Sequence, residues 1–377
     1  MNPTVSFVVP CYKYAHHLAE CVNSILSQSF TDFEVIIMDD CSPDHTPEVA
    51  ASFKDPRVTH VRHERNIGAV ANINDGIRRA RGKYVWVLSA DDALVRPDAL
   101  ADYIAVAEKN PGVGMLFSSG VLLPDPHDTG DVDLPEVITR EGWGTNVIAE
   151  TLRSGRDEII PAKAFFVEVA NTIQICPPTV MFRTSGFAKA GLWPEDASVK
   201  HCPDWLLWAR FAFFFDVAFI ARPAAGYRMH AMSECRTYRS REQPALRDAF
   251  FAVLWKMLEL ADGDPSAAEV LDAIVKHALS AMAKTLRGET KLPFTLTIQQ
   301  AEQIIRKHAR SPREATLLWR RLRREYADVC SHLSKRLLGE GDRERARVCC
   351  AEAVRSNPLK LKTWLRLAWL SCCGGDR

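Results

Sequence analysis

Over about the first hundred residues, apolar side chains fall into short continuous runs separated by stretches with helical spacing. Val5-Ser-Phe-Val-Val9 is a β-branched run suited to a buried strand, and Pro10 ends it. Leu18, Cys21, Val22, Ile25 and Leu26 then recur on one helix face. Residues 33–38 predict a second buried strand, closed by Asp39-Asp40. Residues 46–54 predict a helix with Thr46 as cap and Pro47 in its first turn. Residues 58–61 form a third strand. A helix follows over residues 69–80 and stops at Gly82. Residues 83–88 form a fourth strand, followed by Asp91-Asp92, and Pro97 opens the next helix. Strands alternating with helices predict an α/β fold with a mostly parallel sheet covered on both faces. Such sheets bind ligands just beyond the carboxyl ends of their strands.

The pattern breaks over residues 125–157, where Pro, Gly and Asp cluster and a long loop or excursion is expected. Order returns at residues 178–183, with a helix near residues 185–190. The apolar run at residues 211–221 holds Asp216 and is flanked by Arg210 and Arg222. It is too short for a membrane span, which needs about 18 apolar residues, and reads as a buried strand or helix. From about residue 240 the chain is helical in pattern. Ser266-Ala-Ala-Glu269 matches a capping box. Residues 341–358 and 360–370 read as a helix hairpin like one tetratricopeptide unit, with small residues at Ala346 and Ala353 and Pro358 between the helices. A single unit cannot build a solenoid, so it is expected to act as a helical cap. The predicted domains are residues 1–240, α/β, and residues 241–377, α-helical.

Composition narrows the partners. The 377 residues carry 48 Lys and Arg against 47 Asp and Glu, so net charge gives no pull toward nucleic acid. The first residues lack the basic and apolar regions of a signal peptide, so a cytoplasmic protein is expected. Its 11 cysteines then read as reduced thiols, including the vicinal pairs Cys349-Cys350 and Cys372-Cys373. The cationic, Trp-bearing segment at residues 360–370 suits either a packed helix or peripheral contact with a membrane surface.

The two acid pairs after strands carry the chemistry. Carboxylates alone repel a diphosphate, and a bridging Mg²⁺ or Mn²⁺ removes the conflict. The bland alternative is that these acids cap helices or sit in solvent. No G-x-x-x-x-G-K-[ST] loop and no G-x-G-x-x-G turn is present, which counts against kinases, NTPases and dehydrogenases.

The order of the segments resembles the family 2 glycosyltransferases, whose nucleotide-sugar-binding fold is called GT-A. The matching pieces are Val5-Ser-Phe-Val-Val-Pro-Cys-Tyr12, Ser24-Ile-Leu-Ser-Gln-Ser-Phe30, Phe33-Glu-Val-Ile-Ile-Met-Asp-Asp-Cys-Ser-Pro-Asp44, Asn66-Ile-Gly68, Asn72, Gly82-Lys-Tyr-Val and Leu88-Ser-Ala-Asp-Asp92. The resemblance covers about residues 1–235. It implies inverting, metal-dependent transfer of a sugar from a nucleotide sugar, of UDP type, to an acceptor hydroxyl. The acceptor is a glycan, a lipid-linked glycan or a protein, in surface polysaccharide synthesis. By the same resemblance Pro10 and Tyr12 line the base pocket, Asp40 accepts from the uracil ring, and Asn66 and Gly68 lie along the nucleoside. Asp39 orients the loop and Asp44 steadies that turn.

Ser89-Ala90-Asp91 stands where the family has Asp-x-Asp, so the first acid is Ser. Asp91 and Asp92, with His230 of Tyr227-Arg-Met-His230, are the implied metal ligands, and Arg228 suits a diphosphate. Pro203-Asp204 stands where the family has Glu-Asp, which implies Asp204 as general base. Asp204 equally suits a helix N-cap. Two other readings remain open. One is a non-catalytic scaffold working through its C-terminal helices, favoured by Ser89 and Pro203. The other is a sugar-phosphate nucleotidyltransferase, which lacks its basic Gly-rich loop here. A homo-oligomer is compatible with the sequence.

Overall fold

The computed structural model describes residues 2–123, 125, 137–140, 144–148, 153, 155–172, 175–230, 243–286, 298–309, 311–359 and 361–372. The chain divides into two compact units, Met1–Arg241 and Glu242–Arg377.

The first unit begins with four β/α repeats: β1 (Val5–Cys11), α1 (Ala15–Leu26), β2 (Phe33–Asp39), α2 (Thr46–Ser52), β3 (Val58–Arg62), α3 (Ala69–Arg79), β4 (Tyr84–Val87), β5 (Ala93–Leu94) and α4 (Ala99–Lys109). It continues with β6 (Val113–Leu123), β7 (Val137–Arg140), β8 (Gly144–Ile148), β9 (Glu158–Ile160), α5 (Ala162–Asn171), β10 (Met181–Arg183), α6 (Phe187–Ala190), α7 (Pro203–Phe214) and β11 (Asp216–Arg228). Among the described residues these strands make one eleven-stranded sheet with the main order β3-β2-β1-β4-β10-β6-β11-β5. β3, β2, β1 and β4 are parallel, while β10 runs antiparallel between β4 and β6. β11 is parallel to β6, so β6 and β11 also run in the direction of β1. Mostly parallel order means that β1, β2, β4 and β11 all end on one edge.

Both faces of the sheet are covered, which explains why β1 and β2 are apolar almost without alternation. On one face Phe7 stacks on Trp86 and Trp86 packs on Tyr103 of α4. On the other, the backbone of α3 approaches closely because Gly76 has no side chain: a Cβ there would run into Val8 and Met38. α7 lies on this second face, where Phe211 meets Phe182 of β10. Phe182 pairs with Val85, one residue out of phase with Trp86.

Several local expectations are corrected. The α2 cap is His45, and Thr46 lies inside the helix with its hydroxyl donated to Asp44. The run at residues 211–221 is divided: α7 ends at Phe214 and β11 starts at Asp216, whose carboxylate accepts from Ala162 N. The expected loop at residues 125–157 contains β7 and β8, and the rest of it lies outside the described residues except for Asp125, Arg153 and residues 155–157.

The second unit is helical: α8 (Gln243–Leu260), α9 (Ser266–Leu286), α10 (Ile298–His308), α11 (Pro312–Gly339), α12 (Arg343–Ser356) and α13 (Leu361–Cys372). The capping box at Ser266 is replaced by Asp264, whose Oδ1 accepts from both the N–H and the hydroxyl of Ser266. Ala346 and Ala353 are fully buried in the final hairpin, where Cys349 and Cys350 pack with Leu333 and Leu337. Cys11, Cys21, Cys41, Cys176, Cys202, Cys330, Cys349 and Cys350 are free thiols.

Candidate active site

The site grows from the carboxyl edge of the sheet. After β1, Tyr12 is half-exposed at 39 %, and Lys13 folds over its ring with Nζ 5.0 Å from the centroid. After β2, Asp39 and Asp40 are both buried. Asp39 Oδ1 accepts from Ser42 N at 2.7 Å and its Oδ2 faces His60 and Arg62, so it fixes the turn. Asp44 accepts from Ala15 N and from Thr46, tying the same turn to α1. Asp40 carries the segment before α3: Oδ1 accepts from Ile67 N at 2.7 Å and Oδ2 from Gly68 N at 2.9 Å. Gly68 has φ +89°, which an L side chain rarely adopts, and exposed Asn66 accepts from Gly68 N through its Oδ1. A carboxylate offers about four acceptor positions, so Asp40 keeps capacity beyond these two bonds.

The segment after β4 turns beside β1, with Ala90 N donating to the Pro10 carbonyl at 3.1 Å. Asp91 and Asp92 then separate. Asp91 Oδ2 lies 3.1 Å from His230 Nε2, which follows the end of β11. Asp92 turns inward, 4 % exposed, and its Oδ1 accepts from Arg228 N at 2.9 Å. Burial, and then the charge of Asp91, push its pKa well above the usual carboxylate range. Of the three expected ligands, Asp91 and His230 meet while Asp92 faces the interior, and among the described residues no group of three His, Cys, Asp or Glu side chains is arranged for a metal.

Arg228 was expected to face a diphosphate, yet its guanidinium is buried at 3 % exposure. Nε donates to the Asp91 carbonyl at 2.8 Å and Nη2 pairs with Glu20 of α1 at 2.8 Å. The sequence also gave no role to the residues around His230. Tyr14 and His17 lie with ring centroids 5.4 and 5.9 Å from it. Burial, with His16 and Arg228 nearby, pushes the His17 pKa down to about 4. The adjacent Tyr14-Ala-His-His17 just past the first strand was the available signal.

Two donors remain for a metal, and they fit one. Bonds of about 2.1 Å at a right angle put neighbouring ligand atoms about 3 Å apart, and Asp91 Oδ2 and His230 Nε2 are 3.1 Å apart. An imidazole among the ligands suits Mn²⁺ better than Mg²⁺, which prefers oxygen alone.

Asp204 sits in the first turn of α7, half-buried. The helix cap is Cys202, so the N-cap reading of Asp204 is corrected; its Oδ1 accepts from Trp205 N at 2.8 Å. α7 leads directly into β11 at the opposite edge of the sheet. A helix of 12 residues spans about 18 Å, and near its C-terminal end Phe211 packs on Phe182 of β10. Trp205 anchors the N-terminal end through Nε1 to Val169 O, and Asn74 of α3 clamps the preceding segment through Trp193 and Glu195.

Residues 6–127 match the family model described as Glycosyl transferase family 2. Over these residues the chain is similar to the family 2 glycosyltransferases. Over 106 residues it is 42 % identical to the succinoglycan biosynthesis protein ExoO of Rhizobium meliloti, a stretch covering 28 % of this chain and 30 % of that protein. It is 35 % identical over 115 residues to the glycosyltransferase GlyG of Streptococcus pneumoniae, covering 30 % of this chain and 38 % of that protein. The match thus spans about a third of these relatives. Among solved structures, S. aureus TarS 1–349 aligns with 96 % of this chain and 93 % of its own, with TM-score 0.57 and 15 % identity. That likeness shows a GT-A-like fold.

Proposed function

We propose that the family 2 domain transfers a sugar, with inversion, from a UDP-sugar to an acceptor hydroxyl, assisted by Mn²⁺ or Mg²⁺. The observation that carries this reading is the Asp91–His230 pair, two metal-competent donors 3.1 Å apart on the ligand-binding edge of the sheet. TarS has been solved with UDP-GlcNAc and with UDP, which is the reason to try uridine nucleotides first. The name of ExoO supports a polysaccharide acceptor.

In this reading Pro10 and Tyr12 line the base, Asp40 accepts the imide N–H with its remaining lone pairs, and Asn66 and Gly68 flank the ribose. A divalent cation on Asp91 and His230 would neutralise charge on the leaving diphosphate. Asp204 takes the proton of the acceptor hydroxyl as it attacks the anomeric carbon from the face opposite the diphosphate. Holding donor and acceptor in line lowers the entropic part of the barrier.

The test is calorimetric binding of UDP, GDP, dTDP and CDP with and without Mn²⁺, followed by donor turnover. UDP should bind only with the metal, and Asp91→Ala should lose that binding. Asp204→Asn should bind UDP normally and lose about 10²–10⁴-fold in turnover. Folded protein that binds none of the four nucleotides would instead support a scaffold.

A further inference from the structure

The two units differ in charge although the whole chain is balanced. Residues 1–241 hold 24 Lys and Arg against 30 Asp and Glu, whereas residues 242–377 hold 24 against 17. The excess is concentrated in residues 306–366, with 17 basic and 7 acidic side chains. Basic residues on long helices are most often solvated and paired with acids of the same helix. Several here are paired, within a helix, with its cap or between helices. Arg321 pairs with Asp272 and Glu325, Arg336 with Glu340, Arg345 with Asp342 and Arg355 with Glu352.

Arg313, Arg320 and Arg324 are different. All three are exposed, and none has an ion-pair partner among the described residues. With Leu317, which is 59 % exposed, they are spaced 4, 3 and 4 residues apart and form one row along α11. Ser331 lies further along that row, and α13 is anchored there. Arg366 Nη1 donates to Ser331 O at 2.9 Å and to Ser334 Oγ at 2.6 Å, and Thr363 Oγ1 is 3.0 Å from Ser331 Oγ. Thr363 and Leu370 face inward, while Lys362 and Leu365, on the other side of α13, face solvent. Leu365 is 64 % exposed, and Leu359 in the preceding turn is 92 % exposed.

The leucines decide which partner fits. Nucleic acid would use the cations but gives bare leucines nothing to contact, because strand binding relies on phosphate contacts and aromatic stacking. An anionic lipid surface uses both kinds of group: guanidinium and ammonium ions at the headgroups, and leucines in the boundary beneath them. The geometry points to the Arg313–Leu317–Arg320–Arg324 row and the outer side of α13, with Leu359, as a docking surface for an anionic lipid bilayer. The contact is peripheral: no helix among the described residues is long and apolar enough to cross a membrane.

The test is co-sedimentation of the full chain with vesicles of phosphatidylcholine alone and of phosphatidylcholine mixed with phosphatidylglycerol. Binding is expected on the mixed vesicles only, and it should weaken severalfold between about 0.1 and 0.5 M salt. The triple variant Arg313→Gln, Arg320→Gln, Arg324→Gln should lower partition at least about tenfold. Leu359→Ser with Leu365→Ser should lower it severalfold without any change of charge. These side chains are exposed, and unchanged circular dichroism would verify that both variants fold. Equal binding to both vesicle types, no binding to either, or variants that bind like the parent chain would overturn the proposal. So would retention on DNA by protein that ignores the lipid.

Discussion

At the scale of single residues, the site depends on a buried arginine. Arg228 holds the Asp91 carbonyl and gives its own N–H to Asp92, so it sets the direction in which Asp91 points. Groups that orient a metal ligand typically contribute about 10–100-fold in affinity. Arg228→Met should therefore weaken the proposed Mn²⁺-dependent UDP binding by that order in protein that remains folded. Arg228→Lys should recover little, because an ammonium cannot reproduce the planar fork that reaches Asp91 and Glu20 together. Calorimetry beside thermal unfolding separates the possibilities: a purely structural role would lower Tm and leave the affinity of the folded fraction unchanged. The sequence grouped Asp91 and His230 as implied metal ligands, and the structure brings them within 3.1 Å of each other. The sequence could not show that Asp92 and Arg228 turn inward, because side-chain direction after the last ladder pair is set by packing from β11, more than 130 positions away.

At the scale of elements, the first four strands and helices were legible because Pro10, Gly82 and the acid pairs stop each apolar run. β6 was not. Its middle, Ser118-Ser119-Gly120, is small and polar, yet both serines are buried. Ser118 Oγ accepts from Ala224 N and donates to Ser119 O, so β11 and the strand itself satisfy it. α5 and β9 were missed for the same kind of reason, since they are defined by their docking on α7 and β11. Gly76 inverts an ordinary helix rule. In an exposed helix, Gly→Ala stabilises by about 1 kcal/mol. At position 76 the added methyl meets Val8 and Met38 within a close-packed layer, where overpacking costs about 1–3 kcal/mol. Gly76→Ala should therefore lower the stability of the α/β unit, while Gly339→Ala, with open space around it, should be neutral or stabilising. Urea unfolding of the two variants checks this: a stabilised Gly76→Ala protein would mean that α3 does not sit so close to the sheet.

At the scale of the whole molecule, strand runs cease in the sequence after about residue 240, and the structure holds two compact units, Met1–Arg241 and Glu242–Arg377. The charge asymmetry was hidden because a net value of +1 averages it away. The stability of the first unit carries a further electrostatic signature. Glu34 is the buried acid that joins β2, β1 and the turn before β4. It accepts from Ser6 Oγ at 2.6 Å, from Arg81 N at 2.9 Å and from the Arg81 guanidinium at 2.5 Å. Burial alone would raise its pKa, but the bonds from Arg81 and Ser6 outweigh burial and hold it below the ordinary carboxylate value. A carboxyl with a depressed folded pKa stabilises fully above its unfolded value, about 4.3 for Glu, and loses that contribution as pH falls through the folded pKa. Glu34→Gln cannot titrate, so it should be less stable than the parent chain at pH 7. The gap should stay level down to about pH 5 and close as the solution is acidified further. Calorimetric unfolding of both proteins along the same pH series reads the gap directly, and other titrating groups cancel in the difference. A gap that stays constant into the acid range would show that Glu34 acts through packing and not through its charge.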